Sequence, residues 1–223
     1  LSELARDGHL DTATSTDLAR LLRRLLREAP GPHVAAILDY QVVALLKAGA
    51  EDRRTLVEPT AEALIRFRDD RTRDLVHHTL LSLGEAAIEP VWNLIAEQGE
   101  AEVRILGIRL LPDLLERAGR ADAGAVHRLC DHTRRVEPGP AFDQERGEVL
   151  AAAARLAVSL GDGDLSRQVD DLLVQAGDCA ATGLGWIASG PACDPVRRSA
   201  IVDQLLGGIT EELPDTPLVS TVD

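Results

Sequence analysis

Leucine, valine and isoleucine recur three and four residues apart along most of this chain, the spacing that gathers them on one face of a helix. Leu18, Leu21, Leu22, Leu25 and Leu26 make the first such stripe. Thr16 or Ser15 is its expected N-cap, and Pro30-Gly31-Pro32 ends it, giving a helix at about 15–29. A second helix is predicted at about 33–48, with Val34, Ile37, Leu38, Val42, Leu45 and Leu46 inward and Gly49 closing it. Further helices follow at about 56–68, 71–83, 86–97 and 102–117. After Gly119 the spacing loosens, and helices are expected at about 123–135, 143–160, 164–176, 179–189 and 194–212.

The third to sixth helices echo one another at a separation of 31 residues. Val57-Glu58-Pro59 returns as Ile88-Glu89-Pro90, Arg73 as Arg104, Leu75 as Leu106, Leu80 as Leu111 and Leu83 as Leu114. A fixed period of this size belongs to stacked units, none of which buries its apolar face alone. In this register Gly107 takes the place of Val76, and Pro112 that of Leu81. A glycine inside a helix is expected where a neighbouring helix comes close, and a proline where the helix bends. Pro59 and Pro90 are expected in first turns, where a missing amide hydrogen costs little.

Helix, short break, helix at this period, with Val103-Arg104 opening a second helix, resembles the HEAT-repeat family. The resemblance is closest over about 55–117. It implies an all-α, right-handed superhelix of about ten helices in antiparallel pairs. It also implies a ladder between neighbours, carried here by Asp69 or Asp70 with Arg73 and by Glu100 with Arg104. Asp194-Pro195-Val196-Arg197 has the same form but falls on a first helix. Armadillo-like repeats are the close alternative, whereas the tryptophan and tyrosine signature of tetratricopeptide repeats is missing. Residues 1–212 read as one repeat domain, and 213–223, with Pro214 and Pro217, as an extended tail.

Composition narrows the function more than it names it. Aromatics are 2% of the chain, so the core is aliphatic. The net charge is −13, and residues 1–73 hold 12 acidic and 12 basic side chains, whereas 74–223 hold 25 and 12. A nucleic-acid binder carries a basic footprint, which that region lacks. The acidic surface suits a basic protein partner, or solubility alone. Cys130, Cys179 and Cys193 are too few and too scattered for a disulfide framework. No apolar run approaches a membrane span of about 20 residues. The start at Leu1 fits a removed leader, and the cytoplasm is the default expectation.

Several clusters invite a chemical reading. His127, Cys130 and Asp131 share one helix face, but no second ligand pair completes a metal site. Asp69-Asp70-Arg71-Thr72-Arg73-Asp74 looks like the aspartate-rich motif of all-α prenyl enzymes, yet it sits at a helix junction that favours capping aspartates. HEAT-type metal enzymes that hydroxylate a modified lysine carry His-Glu pairs, and this sequence has none. HEAT-like DNA-repair glycosylases combine aromatic residues with a basic concave surface. Here Trp92 and Trp186 stand on an acidic background, and Trp92 reads as packing. Arg20, Arg23, Arg24 and Arg27 cover the outer face of the first helix, as a capping helix requires.

No catalytic, cofactor or metal residue is assigned. The leading expectation is a non-catalytic scaffold whose concave face, lined by second helices, binds a protein partner through His77, His78, Arg104 and Arg109. A DNA-repair glycosylase, and a regulatory or assembly factor binding a small molecule between helices, are the alternatives.

Overall fold

The computed structural model describes residues 12–31, 33–34, 38, 50–97, 99–136 and 140–211. Among them every regular element is helical. They are α1 (Thr12–Glu28), α2 (Ala50–Arg66), α3 (Asp70–Leu83), α4 (Ile88–Glu97), α5 (Ala101–Ala118), α6 (Ala123–Arg135), α7 (Pro140–Leu160), α8 (Gly163–Ala176), α9 (Ala181–Ser189) and α10 (Pro195–Glu211). Most of the helix expected at 33–48, with Gly49, and the tail at 213–223 lie outside the described residues; Val34 and Leu38 are buried.

Two starts differ from the sequence reading. The first helix begins at Thr12, so Ser15 and Thr16 lie inside it rather than at its cap. Its stripe is also not wholly inward, because Leu21 is exposed while Leu26 is buried. The helix expected from residue 56 begins at Ala50, which places Pro59 in the interior of α2 and not in a first turn. Residues 50–55 are mainly alanine, acid and arginine, good helix formers that carry no apolar stripe to betray them. Pro59 withholds the amide hydrogen that the Thr55 carbonyl would otherwise receive.

The 31-residue register survives in three dimensions. Arg73 and Arg104 are each the fourth residue of their helix, α3 and α5. Leu80 and Leu111, Leu83 and Leu114, and Val76 and Gly107 are buried in both copies, while Glu58 and Glu89 are exposed in both. The copies differ ahead of the repeated proline. Gly84 turns the chain at φ 65 into a short 3-10 turn, Gly84–Ala87, before α4 begins. Gly177 does the same before α9, at the same φ of 65, opening Gly177–Ala180. Only glycine adopts this backbone readily.

Contacts advance steadily along the chain. Arg73 of α3 reaches Glu102 of α5, and Arg104 of α5 reaches Glu145 of α7. Gly147 of α7 lies against Cys179, Ala151 against Gly183 of α9, and Val158 against Gly190, the partner standing 32 residues further on each time. Partners that rise together mean helices that run in the same direction. So α7 and α9 run in the same direction, and α3, α5, α7 and α9 touch one another in succession. On the other side Trp92 and Glu89 of α4 meet Arg128 of α6, and Asp170 of α8 meets Arg197 of α10. The aliphatic core lies between these two sets, with Leu80, Ile95, Leu111, Leu129, Leu150 and Leu173 fully enclosed.

The closest approaches fall on small residues. A Cβ on Gly107 would stand 2.9 Å from the Leu94 Cδ2 and 3.1 Å from the Ile95 Cγ1 of α4, as expected of a glycine in this register. A Cβ on Gly147 would instead press on the backbone carbonyl oxygen of Cys179. α5 runs unbroken through the buried Pro112.

A side chain can rotate away, whereas a carbonyl held in a 3-10 turn cannot. Gly147→Ala is therefore expected to destabilise the protein by about 1–3 kcal/mol, and Gly107→Leu by a similar amount. Gly107→Ala is expected to cost less than either. Urea unfolding followed by far-UV circular dichroism measures all three. A Gly147→Ala midpoint equal to the parent's would show that α7 and the turn do not pack this closely.

Candidate functional site

The first row of contacts explains which side chains are left for the surface. α3, α5, α7 and α9 turn their leucines, valines and alanines toward the core. Their outer positions then form a connected strip. Asp74, His77 and His78 come from α3, Arg109, Asp113 and Arg117 from α5, Glu148 and Arg155 from α7, and Trp186 from α9.

The strip is tied together by arginines. Arg155 Nη2 donates to Asp113 Oδ1 and to Glu116 Oε2, both at 2.6 Å. Arg109 donates to Glu148. The Arg155 guanidinium also lies 5.6 Å from the centroid of the Trp186 ring, and Trp186 stays 39% exposed. That distance is within reach of a cation–π attraction. At the other end the His77 and His78 rings meet edge to face at 5.9 Å. Burial first, then the charge of His78, holds His77 below the usual histidine range, against the pull of Asp113 and Asp74.

The four residues expected on this face differ in exposure. His78 and Arg109 are exposed, and His77 is half-buried. Arg104 is not at the surface: its side chain is only 13% exposed. It turns inward because Glu145, 1% exposed, waits across the α5–α7 contact. Arg104 Nε donates to Glu145 Oε1 at 2.7 Å, and Arg104 Nη2 to Oε2 at 2.5 Å. His132 of α6 adds a third contact, Nε2 to Oε1 at 3.1 Å. Burial alone would raise the Glu145 carboxyl, but the hydrogen bonds from Arg104 and His132 outweigh it and hold the group below the usual carboxylate range.

The ion pairs expected of a ladder are replaced by others. Arg73 Nε donates to the Phe67 carbonyl at 2.9 Å and Arg73 Nη1 to Glu102 Oε1 at 2.5 Å. Asp69 is the N-cap of α3, accepting the Thr72 amide at 2.9 Å. Glu100 pairs with Arg68 rather than with Arg104, at 2.5 Å. The aspartate-rich run is thus explained by capping. Cys130 is buried, while His127 and Asp131 are exposed, so these three do not converge. Among the described residues no three His, Cys, Asp or Glu side chains are grouped to hold a metal ion. Arg20, Arg24 and Arg27 are exposed and paired with acids on α1 or α2.

Trp92, expected to be packing, is 5% exposed with the Arg128 guanidinium 4.3 Å from its ring centroid. Sequence reasoning missed Arg155 and Asp113. Arg155 had one visible sign, being the lone charge in the apolar run from Val149 to Leu160.

No family model, no curated protein and no solved structure matches this chain.

Glu145→Gln would leave the Arg104 guanidinium in a nearly closed site without its counter-charge. Breaking a buried pair by removing one partner costs about 3–5 kcal/mol. The acid limb of stability should change as well. A carboxyl held low in the folded state contributes fully above its unfolded value, about 4.3. That contribution is lost as pH falls through the lower, folded value. Urea titrations over a pH series are expected to show the parent losing stability on acidification more steeply than Glu145→Gln. Parallel curves would mean that Glu145 is not held as an ion.

Proposed function

We propose that this protein is a non-catalytic interaction module of HEAT-like, right-handed solenoid form, which holds a protein partner on the face of α3, α5, α7 and α9. Helices that touch mainly their near neighbours along the chain, with α7 and α9 running in the same direction, support this form. In such stacks the second helices line the concave side, the usual binding surface.

The observation that carries the reading is Trp186. It is a large exposed aromatic on a helix that otherwise offers Thr182, Gly185 and Ser189 outward. Arg155 flanks it, positioned by Asp113 and Glu116. Tryptophan and arginine are the residues most enriched among those that dominate binding energy, and hot spots form where the anchor has a fixed neighbour. The remaining strip, from Glu148 to Asp74, supplies charges that set orientation rather than affinity. The acid excess of 74–223 favours a basic partner.

Affinity capture with immobilised protein tests this directly. The parent is expected to retain a partner that Trp186→Ala loses and that Arg155→Ala retains weakly. Truncating such an anchor costs about 2 kcal/mol or more, a factor of about 30 in affinity. Trp186→Ala should unfold in urea at nearly the parent's midpoint, since the ring is not part of the core. A partner held equally by parent and Trp186→Ala would remove the anchor. Binding to duplex DNA that falls steeply with added salt would favour the glycosylase-like alternative.

A further inference from the structure

We propose that a cleft at the α8–α10 end of the molecule binds a small, neutral and mainly apolar molecule of single-ring size. The cleft has a volume of about 280 Å³ and lies between the end of α7, the first turns of α8 and the loop that joins α9 to α10. Small-molecule sites begin at about 300 Å³, which sets the size of the ligand. The site is separate from the Trp186 strip and does not depend on its reading.

Close packing around glycine builds the walls. A Cβ on Gly190 would stand 2.9 Å from the Val158 Cγ2 and 3.2 Å from the Ile187 carbonyl oxygen, so a glycine is needed for the loop to come this close to α7 and α9. A Cβ on Gly163, at the start of α8, would lie 3.7 Å from the Ala192 Cβ. Arg198 clamps the same loop by donating from Nε to the Ala188 carbonyl at 2.8 Å, and from Nη2 to the Gly190 and Cys193 carbonyls at 3.1 and 3.3 Å. Val158, Ile187, Pro191 and Ala192 supply an apolar lining. A preformed, mainly apolar cleft is the usual form of a small-ligand site.

The charged groups of the lining favour neither sign. They are Arg167, Asp170, Asp194 and Arg197, and their charges cancel. Each is engaged within the protein. Asp170 accepts from Arg197, Nε to Oδ2 at 2.7 Å and Nη2 to Oδ1 at 2.5 Å. Asp194 caps α10 by accepting the Arg197 amide at 2.9 Å. Arg167 donates to Asp164, and the Ser166 hydroxyl to the Asp162 carbonyl at 2.9 Å. Behind the lining, Asp164 and Arg198 add one charge of each sign, and the Asp162 carboxylate is engaged in capping α8. An anion or a cation entering the cleft would give up hydration and meet as much repulsion as attraction. A neutral ring gives up little and gains apolar contact.

Titration of the isotopically labelled full chain at pH 7, followed by amide chemical shifts, is the test. Three probes share one ring and differ in charge: benzyl alcohol, sodium benzoate and benzylamine. Benzyl alcohol is expected to bind in the range of about 1–10 mM, with shifts centred on Gly190, Ala192 and Arg197. Benzoate and benzylamine should each bind at least about fivefold more weakly. Ala192→Phe, which fills the cleft from an exposed loop position, should lose binding of the alcohol by a similar factor. Absence of shifts up to about 50 mM benzyl alcohol, or shifts centred elsewhere, would overturn the site. Either ion binding at this cleft as tightly as the alcohol would overturn the neutral assignment. The three-probe comparison uses the parent protein, so it decides the matter even if Ala192→Phe does not fold.

Discussion

The contact between α5 and α7 is the joint on which the rest of the molecule depends. α7 packs against α5, α6, α8 and α9, so the placement of all four passes through its interfaces. At the α5–α7 interface a carboxylate is almost fully enclosed. Exposed pairs such as Arg68–Glu100 contribute little, because water already solvates both ions. Glu145 has no water to return to. Its charge is tolerated only because Arg104 and His132 reach it from two other helices. The benefit of such a group is less in net stability than in placement, since any shift of α7 along α5 would strand an ion.

α7 is joined to its two row neighbours by opposite means. Toward α5 it presents Glu145, Glu148 and Arg155, long side chains that span the gap with ion pairs. Toward α9 it presents Gly147, Ala151 and Val158, and the backbones come close enough for a glycine to be required. Close packing of this kind gains dispersion contacts over many atom pairs, each worth only about 0.1–0.2 kcal/mol. The ionic side fixes register, and the small-residue side fixes separation. The run Ala151-Ala152-Ala153-Ala154 at the centre of α7 makes both possible in one helix.

Much of this was legible in the leucines. The echo of Leu80 and Leu83 in Leu111 and Leu114 marks positions that are buried in both helices, and Gly107 marks a close neighbour. The rung made by Glu145 was hidden for a physical reason. Arg73 finds its acid 29 residues on, but Arg104 finds its own 41 residues on, because the segment around Pro138-Gly139-Pro140 lengthens the connection. A fixed period cannot point across an insertion. The early start of α2 was hidden for a different reason, since its first six residues are helical by propensity and show no apolar face. Trp186 was visible as a residue, but its exposure is a property of the packed α7–α9 pair and not of its neighbours in sequence.

The distribution of charge connects the fold to its surroundings. In the C-terminal two-thirds, Arg104, Arg109, Arg120, Arg128, Arg155 and Arg197 are each committed to a carboxylate on another segment. These six arginines are engaged within the molecule, in a segment that holds 25 acidic against 12 basic side chains. A field of that sign repels the phosphate backbone of nucleic acid at long range and draws cationic surfaces in, and salt weakens both effects over about 8–10 Å. The same internal pairing that locks the helices in register therefore leaves the acid excess of this segment uncompensated. In the function proposed above, Trp186, 39% exposed, is the uncharged anchor beside that field.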